Sequence, residues 1–244
     1  MTAFLITLLA GLFFLLGAII AKIGHNKKGI IDFSLGMAFS VMLVLLVFDL
    51  IPEIKELTEN RGSIFILILI LSGIILLKLI DLLVPHHSHE DEVKNHHHEK
   101  HLEHIGLMTT IALIIHNVIE GMSVYGLALV DAKLGLVMAI GVGLHNIPFG
   151  MEIYTTLEKT KKNSWISIVL LTLSTVLSAG IMMLIGGVSD IVLAGLISIT
   201  IGMIVYLILF ELAPELMETK NKKSVMLGVI TGVILMAINM IVGG

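Results

Sequence analysis

The stretch IIHNVIEGMSV, residues 114–124, places two ionisable side chains, His116 and Glu120, inside an apolar part of the chain. The surrounding run of about 25 residues, 105–129, contains no other charged residue. A helix needs about 20 apolar residues to cross the hydrocarbon core of a bilayer. The run is long enough, so it predicts a membrane-spanning helix with polar groups near its centre.

The composition of the whole chain is that of a membrane protein with several spans. The chain has 244 residues, of which 57% are hydrophobic and 14% are charged, whereas soluble domains are about 45–50% apolar and about 25% charged. The absence of cysteine excludes disulfides and metal sites built from thiolates. The N-terminal residues lack a basic segment and a small-residue cleavage site, so we expect a first span and not a signal peptide.

Eight apolar segments along the chain are long enough to span a membrane. None shows strand-like alternation, so the expected fold class is all-α: a polytopic membrane protein, an eight-transmembrane-helix bundle forming a single domain over 1–244. The boundary near residues 186–190 is the least sharply marked. The predicted spans are 2–23, 30–52, 62–85, 105–129, 134–157, 164–188, 190–213 and 224–243.

Basic residues are distributed unequally between the two sides of the predicted bundle. Three lie in the loops of one side, namely Lys55, Arg61 and Lys133, against eleven in the loops of the other side. Cytoplasmic loops of membrane proteins are rich in Lys and Arg. We therefore expect a multi-pass plasma-membrane protein with both termini extracellular. The loops after spans 1, 3, 5 and 7 hold eleven lysines: Lys22, Lys27, Lys28, Lys94, Lys100, Lys159, Lys161, Lys162, Lys220, Lys222 and Lys223.

The loop between spans 3 and 4, residues 86–104, contains eight of the eleven histidines of the chain. Its low apolar content predicts a disordered cytoplasmic segment. One interpretation is a solvated linker. Imidazoles interspersed with carboxylates also favour weak binding of ions such as Zn²⁺. The two interpretations are compatible.

Polar side chains on spans 4 and 5 predict a metal site at the middle of the membrane. Residues four apart share a helix face, so His116 and Glu120 point the same way. The stretch GLHNIPFGMEI, residues 143–153, places His145 at the centre of its own span. An ionisable group at the bilayer centre costs at least ~2.5–3.5 kcal/mol. Two imidazoles and a carboxylate suit a divalent first-row metal, although a hydrogen bond that only locks helix packing is the alternative.

Further candidate ligands lie at other depths. Asp49 and Glu53 lie near the outer end of span 2, and Met42 near its middle. Glu211 lies near the inner end of span 7. Glu53 also suits an ordinary interfacial carboxylate, and Met42 also suits plain packing. Together with the amide oxygens of Asn117 and Asn146, these residues predict a series of ligands from one face of the membrane to the other.

The motifs HNVIEG, residues 116–121, and HNIPFG, residues 145–150, resemble those of the ZIP family of divalent-metal transporters. The resemblance covers nearly the whole chain and includes a Pro-Glu pair in spans 2 and 7. It implies eight spans, both termini outside, and a His-rich loop between spans 3 and 4. It also implies a metal site at mid-membrane between spans 4 and 5, with a span-2 methionine and an exit-side carboxylate. The residues so implied are His116, Asn117, Glu120, His145, Asn146, Met42 and Glu211.

Two positions depart from the family pattern. Phe149 stands where the fifth-span motif usually has Glu, and Leu177 stands where a sixth-span carboxylate is common. A site for one metal ion is therefore expected. Glu152 lies seven residues after His145, roughly 10 Å further along the helix, where it could act as a second binding position for the ion.

These observations predict a transporter that moves Zn²⁺ from outside to the cytoplasm, with Fe²⁺ or another divalent ion as alternatives. The metal is the substrate, and no cofactor is expected. The expected partners are the ion and the lipid bilayer, without nucleic acid, and a homodimer is left open. A degenerate relative that binds metal as a sensor or subunit is the second hypothesis. An intramembrane zinc hydrolase is the third, weakened because no span offers a third histidine at helical spacing.

Overall fold

The computed structural model describes residues 1–24, 29–58, 63–83, 94–159, 163–186 and 189–243. In these residues all regular secondary structure is helical, and eight helices are long and apolar enough to cross a membrane. The prediction of an all-α bundle with eight spans is confirmed.

The eight helices are numbered α1 to α8 in chain order. Two of them, α2 and α7, each consist of two α-helical parts joined by a π-helical stretch. The bounds are Thr2–Gly24 for α1, Ile30–Leu45, Leu46–Leu50 and Ile51–Thr58 for α2, Ser63–Leu83 for α3, Lys94–Val130 for α4, Ala132–Lys159 for α5, Ser164–Ile185 for α6, Asp190–Tyr206, Leu207–Leu212 and Ala213–Glu218 for α7, and Lys222–Gly243 for α8.

The start of α4 differs from the sequence-based expectation. The segment 86–104 was expected to be a disordered loop, yet α4 begins at Lys94. The earlier part of that segment, up to residue 93, lies outside the described residues. The last residue of the segment, His104, is buried by contacts with side chains of other helices. An additional helical stretch satisfies its own backbone hydrogen bonds, so the helix extends beyond the apolar run.

The helices of the bundle pack in two groups, and glycines lie at the closest contacts within each group. In the first group α1, α4, α5 and α6 pack together. There Gly17 and Gly150 bring α1 and α5 into backbone contact, and Gly121 brings α4 against α6. In the second group α2 packs against α8, and α3 packs against α7 at Gly73 and Gly202. Small residues permit such packing where lipid supplies no hydrophobic driving force between helices.

The π-helical stretches of α2 and α7 each precede a proline. Pro52 follows Leu46–Leu50, and Pro214 follows Leu207–Leu212. Proline lacks an N–H donor, and its ring clashes with the carbonyl four residues earlier. The backbone hydrogen bonds therefore connect residues five apart instead of four, as in the bond that the Ile51 N–H donates to the Leu46 carbonyl. Such bulges often occur at functional sites, and these two contain Asp49 and Glu211.

Candidate metal centre

Three side chains from α4 and α5 meet in a central cluster formed by His116, Glu120 and His145. The His145 Nε2 atom lies 3.1 Å from Glu120 Oε1, and the His116 Nε2 atom lies 3.5 Å from Glu120 Oε2. One potential ligand atom from each residue lies within 4.8 Å of the other two. Both histidines are 2% exposed. The spacing suits a small divalent cation bound between the three side chains.

Local helix geometry explains why these residues meet. His116 and Glu120 are four residues apart on α4 and so share a face. His145 reaches the same carboxylate from α5, which packs antiparallel to α4. Near the short connection between the two helices, Gly135 permits close contact with Ala128. His116 and His145 each lie midway along the apolar stretches Leu102–Val130 and Ala132–Glu158, so antiparallel packing brings them to the same level.

The central cluster lies at a cavity of about 330 Å³. Asp49 and Glu53 of α2 line the same cavity, so two further carboxylates share this space with the cluster. The lining residues lie between the middle of the bundle and the end that holds both chain termini, which we call the termini side. The other polar lining residues are Ser123, Thr200 and Asn239.

Five residues predicted from sequence are not among the residues that line this cavity: Met42, Asn117, Asn146, Glu152 and Glu211. Glu152 and Glu211 lie nearer the other side of the bundle. Met42 is fully buried in the hydrophobic core. The Asn146 amide donates a 3.1 Å hydrogen bond to the carbonyl of Ala10, and so links α5 to α1. Asn117 is 1% exposed, and neither atom of its amide has a hydrogen-bond partner among the described residues. Of Met42, Asn117 and Asn146, Asn146 has a structural role of its own, and the other two stay predictions as ligands.

The two departures from the family pattern have different surroundings. Phe149 is fully buried, and its ring lies edge-on to His145 with 6.3 Å between the ring centroids. Leu177 is 56% exposed on the outside of α6. Because Leu177 faces away from the bundle, this position is not the counterpart of an inward-facing ligand. The buried polar residues on this part of α6 are Ser174, Thr175 and Ser178.

A second group of ligand-type side chains lies on the opposite side of the bundle, and the sequence does not predict that its members meet. In this opposite-side cluster His104 Nε2 lies 2.6 Å from Asp81 Oδ1 and 3.5 Å from Glu211 Oε1. The Tyr206 hydroxyl donates a 2.8 Å hydrogen bond to Asp81 Oδ2. Glu211 was among the predicted ligands. Asp81 lies near the end of α3 and His104 in the first third of α4, and only the packing of α3, α4 and α7 shows that they meet.

The donor set of the central cluster determines what it can bind. Two neutral imidazoles and one carboxylate supply three ligands, and tetrahedral Zn²⁺ would keep a fourth position for water. A single carboxylate leaves one net positive charge on a bound divalent ion. Asp49 and Glu53 in the same cavity offset part of that charge. The arrangement suits reversible binding and not a closed structural site.

Comparisons with known proteins extend over almost the entire chain. A family model described as "ZIP Zinc transporter" matches residues 91–240. The zinc transporter ZupT of Streptococcus mutans is 33% identical over 255 aligned positions, which cover 98% of this chain and 97% of the relative. ZupT of Oceanobacillus iheyensis is 33% identical, with 98% and 97% covered. ZupT of Clostridium perfringens is 32% identical, with 98% and 95% covered.

Proposed function

Since the chain belongs to the ZIP family of zinc transporters, we propose that it carries Zn²⁺ across the membrane through the central cluster, from the termini side to the opposite side. Divalent-metal transport and a multi-pass membrane location follow from the family and from the eight apolar helices. Members of this family are transporters and not enzymes, so the hydrolase hypothesis is set aside.

One observation supports the central cluster as the transport site more than any other. His116, Glu120 and His145 have ligand atoms within 4.8 Å of one another, at a cavity that also holds Asp49 and Glu53. A hydrogen bond that only locked helix packing would need neither the cavity nor the additional carboxylates. The imidazole-rich donor set favours Zn²⁺ over Mn²⁺, while Fe²⁺ remains an alternative substrate.

The direction of transport is proposed from the distribution of lysines. Eleven lysines belong to the predicted loops on the side opposite the termini, against three basic residues in the loops on the termini side. The positive-inside rule then assigns the opposite side to the cytoplasm. With this orientation the cavity lies on the outer side of the bundle, and the ion moves inward.

The mechanism uses the residues in the order of their depth. Asp49 and Glu53 attract the ion and replace part of its hydration shell. His116, Glu120 and His145 then bind it midway along α4 and α5. Rocking of the group α1, α4, α5 and α6 against the remaining helices would open the other face of the site, as repeat-based transporters do. The ion then reaches Glu211 and the opposite-side cluster.

Zinc flux into liposomes that contain the purified protein tests this proposal. The comparison uses wild type, His116→Ala, and Thr231→Ala as a matched control on an exposed part of α8. The expected result is saturable flux that His116→Ala reduces to the background and that Thr231→Ala leaves unchanged. Equal flux in wild type and His116→Ala would show that the ion does not use the central cluster.

The sensor or subunit hypothesis is retained because of Phe149. This aromatic ring is fully buried beside His145 and occupies space that a smaller side chain would leave to an ion. Zinc binding that depends on His116, without any flux, would favour a protein that binds zinc and does not carry it. In that event Phe149→Glu, which restores the usual family residue, is the next variant to measure.

A further inference from the structure

A second pair of polar side chains lies on the faces of α4 and α5 that form the central cluster. Thr109 precedes His116 by seven residues, and Glu152 follows His145 by seven residues. Seven residues make about two helical turns, or roughly 10 Å, and return to nearly the same face. Because α4 and α5 are antiparallel, both residues are displaced from the central cluster in the same direction, away from the termini side.

Among the described residues, neither of these side chains has a hydrogen-bond partner that would explain its burial. Glu152 is fully buried, and neither oxygen of its carboxyl group has a hydrogen-bond partner among the described residues. The same holds for the hydroxyl oxygen of Thr109. A buried polar group without a partner is costly, and an ionisable group within a membrane marks an ion or proton pathway more often than a packing site.

Contacts just beyond Glu152 locate this level between three helices. Thr155 forms a 2.7 Å hydrogen bond with Ser34 of α2, and a Cβ added at Gly106 of α4 would lie 2.6 Å from Thr156 Oγ1. Glu152 lies one turn before both threonines on α5. It therefore lies where α5 passes between one helix of each group in the bundle, which is where relative movement of the groups would open a path.

Phe149 lies between His145 and Glu152 along α5. Its side chain is fully buried, lies edge-on to His145, and precedes Glu152 by one helical turn. Neither Phe149 nor Glu152 lines the cavity that contains the central cluster. The ring therefore lies along α5 in the direction from His145 to the carboxyl group.

We propose that Glu152 and Thr109 form a second binding level for the divalent cation, and that Phe149 is the gate between this level and the central cluster. The inference rests on the proposed transport function. One carboxylate and one hydroxyl supply few ligands, so water completes the coordination and the ion is held briefly. The carboxylate that the fifth-span motif lacks at position 149 is thus provided two turns beyond His145, on the far side of the gate.

Cysteine labelling tests the gate without any measurement of transport. The chain contains no cysteine, so Glu152→Cys and Ser123→Cys each carry a single thiol. Ser123 lines the cavity and serves as the control. A membrane-impermeant maleimide should label Ser123→Cys from the termini side. It should label Glu152→Cys only from the opposite side, at a rate that added Zn²⁺ reduces at least about tenfold.

Removal of the aromatic ring gives the opposite expectation. In Phe149→Ala/Glu152→Cys the maleimide should reach the thiol from the termini side as well. Labelling of Glu152→Cys from the termini side while Phe149 is present would overturn the gate. A thiol at position 152 that is never labelled, with or without Phe149, would overturn its place on the pathway.

Zinc flux and binding in Glu152→Gln test the second level itself, with Glu158→Gln near the end of α5 as the control. We expect at least a tenfold loss of flux in Glu152→Gln with unchanged zinc affinity at the central cluster. Unchanged flux would overturn the proposal, and so would a parallel loss of affinity and flux, which indicates a structural role. Wild-type protein that carries no zinc would instead overturn the transport function, and the labelling experiment would still decide the gate.

Discussion

His145 Nε2 lies 3.1 Å from Glu120 Oε1, although 25 residues separate the two positions in the chain. The other oxygen of the same carboxylate lies 3.5 Å from His116 Nε2, one turn away on α4. One glutamate thus joins both imidazoles of the central cluster. This relationship makes Glu120 the residue whose replacement has the clearest expected effect.

Glu120→Gln should weaken zinc binding at the central cluster by at least about 100-fold. The change keeps the size of the side chain but removes the only carboxylate among the three ligands, and loss even of an outer hydrogen-bond partner costs 10–100-fold in typical metal sites. Isothermal titration of purified protein with Zn²⁺ measures the effect. Glu158→Gln, whose glutamate accepts a hydrogen bond from Tyr154 near the end of α5, is the control. Equal affinities in Glu120→Gln and wild type would refute the site.

Zinc affinity should decrease as the pH is lowered below about 6. An imidazole binds metal only when neutral, and an unperturbed histidine gains a proton near pH 6.5. With two histidines in the cluster, the affinity should fall between about tenfold and 100-fold per pH unit. Titrations at several pH values measure the slope of the logarithm of zinc affinity against pH. In His116→Ala one histidine fewer loses a proton on binding, so the slope should be shallower by one unit. A slope that is the same in both proteins would show that His116 is not a ligand.

Asn146→Ala should reduce stability without changing zinc affinity. The Asn146 amide donates to the Ala10 carbonyl and lies away from the cavity. Loss of one such hydrogen bond costs about 1 kcal/mol. The thermal unfolding midpoint in detergent and the zinc dissociation constant are the two measurements. A large loss of zinc affinity would instead indicate that Asn146 is a ligand, as the family resemblance implies, in a conformation other than the one described.

Gly150→Ala should destabilise the contact between α1 and α5. A Cβ atom at this position would overlap the Phe14 carbonyl oxygen of α1, and a backbone atom cannot rotate away. Overpacking of this kind costs about 1–3 kcal/mol. Gly180→Ala is the matched control, because a Cβ there meets nothing within 4 Å. We expect a lower unfolding midpoint for Gly150→Ala and an unchanged or higher one for Gly180→Ala; the reverse order would contradict this packing.

Helical periodicity was sufficient to predict the part of the central cluster that lies on α4. The positions of His116 and Glu120 follow from a spacing of four residues, and the depth of His145 follows from its place in the span. The same reasoning failed for the opposite-side cluster. Asp81, His104 and Glu211 lie on three different helices, and no spacing within a helix relates them to one another.

By itself the sequence determined that the chain is a bundle of membrane-spanning helices with imidazole and carboxylate groups at its centre. The physical reason is that span length, charge bias and helical spacing are local properties, and a bilayer permits few backbone solutions. Only the tertiary structure decided which side chains meet. It joined His145 to Glu120, placed Asp49 and Glu53 at the same cavity, and turned Asn146 toward α1. Those outcomes depend on helix rotation and on close packing at glycines, which residue spacing along a single helix does not reveal.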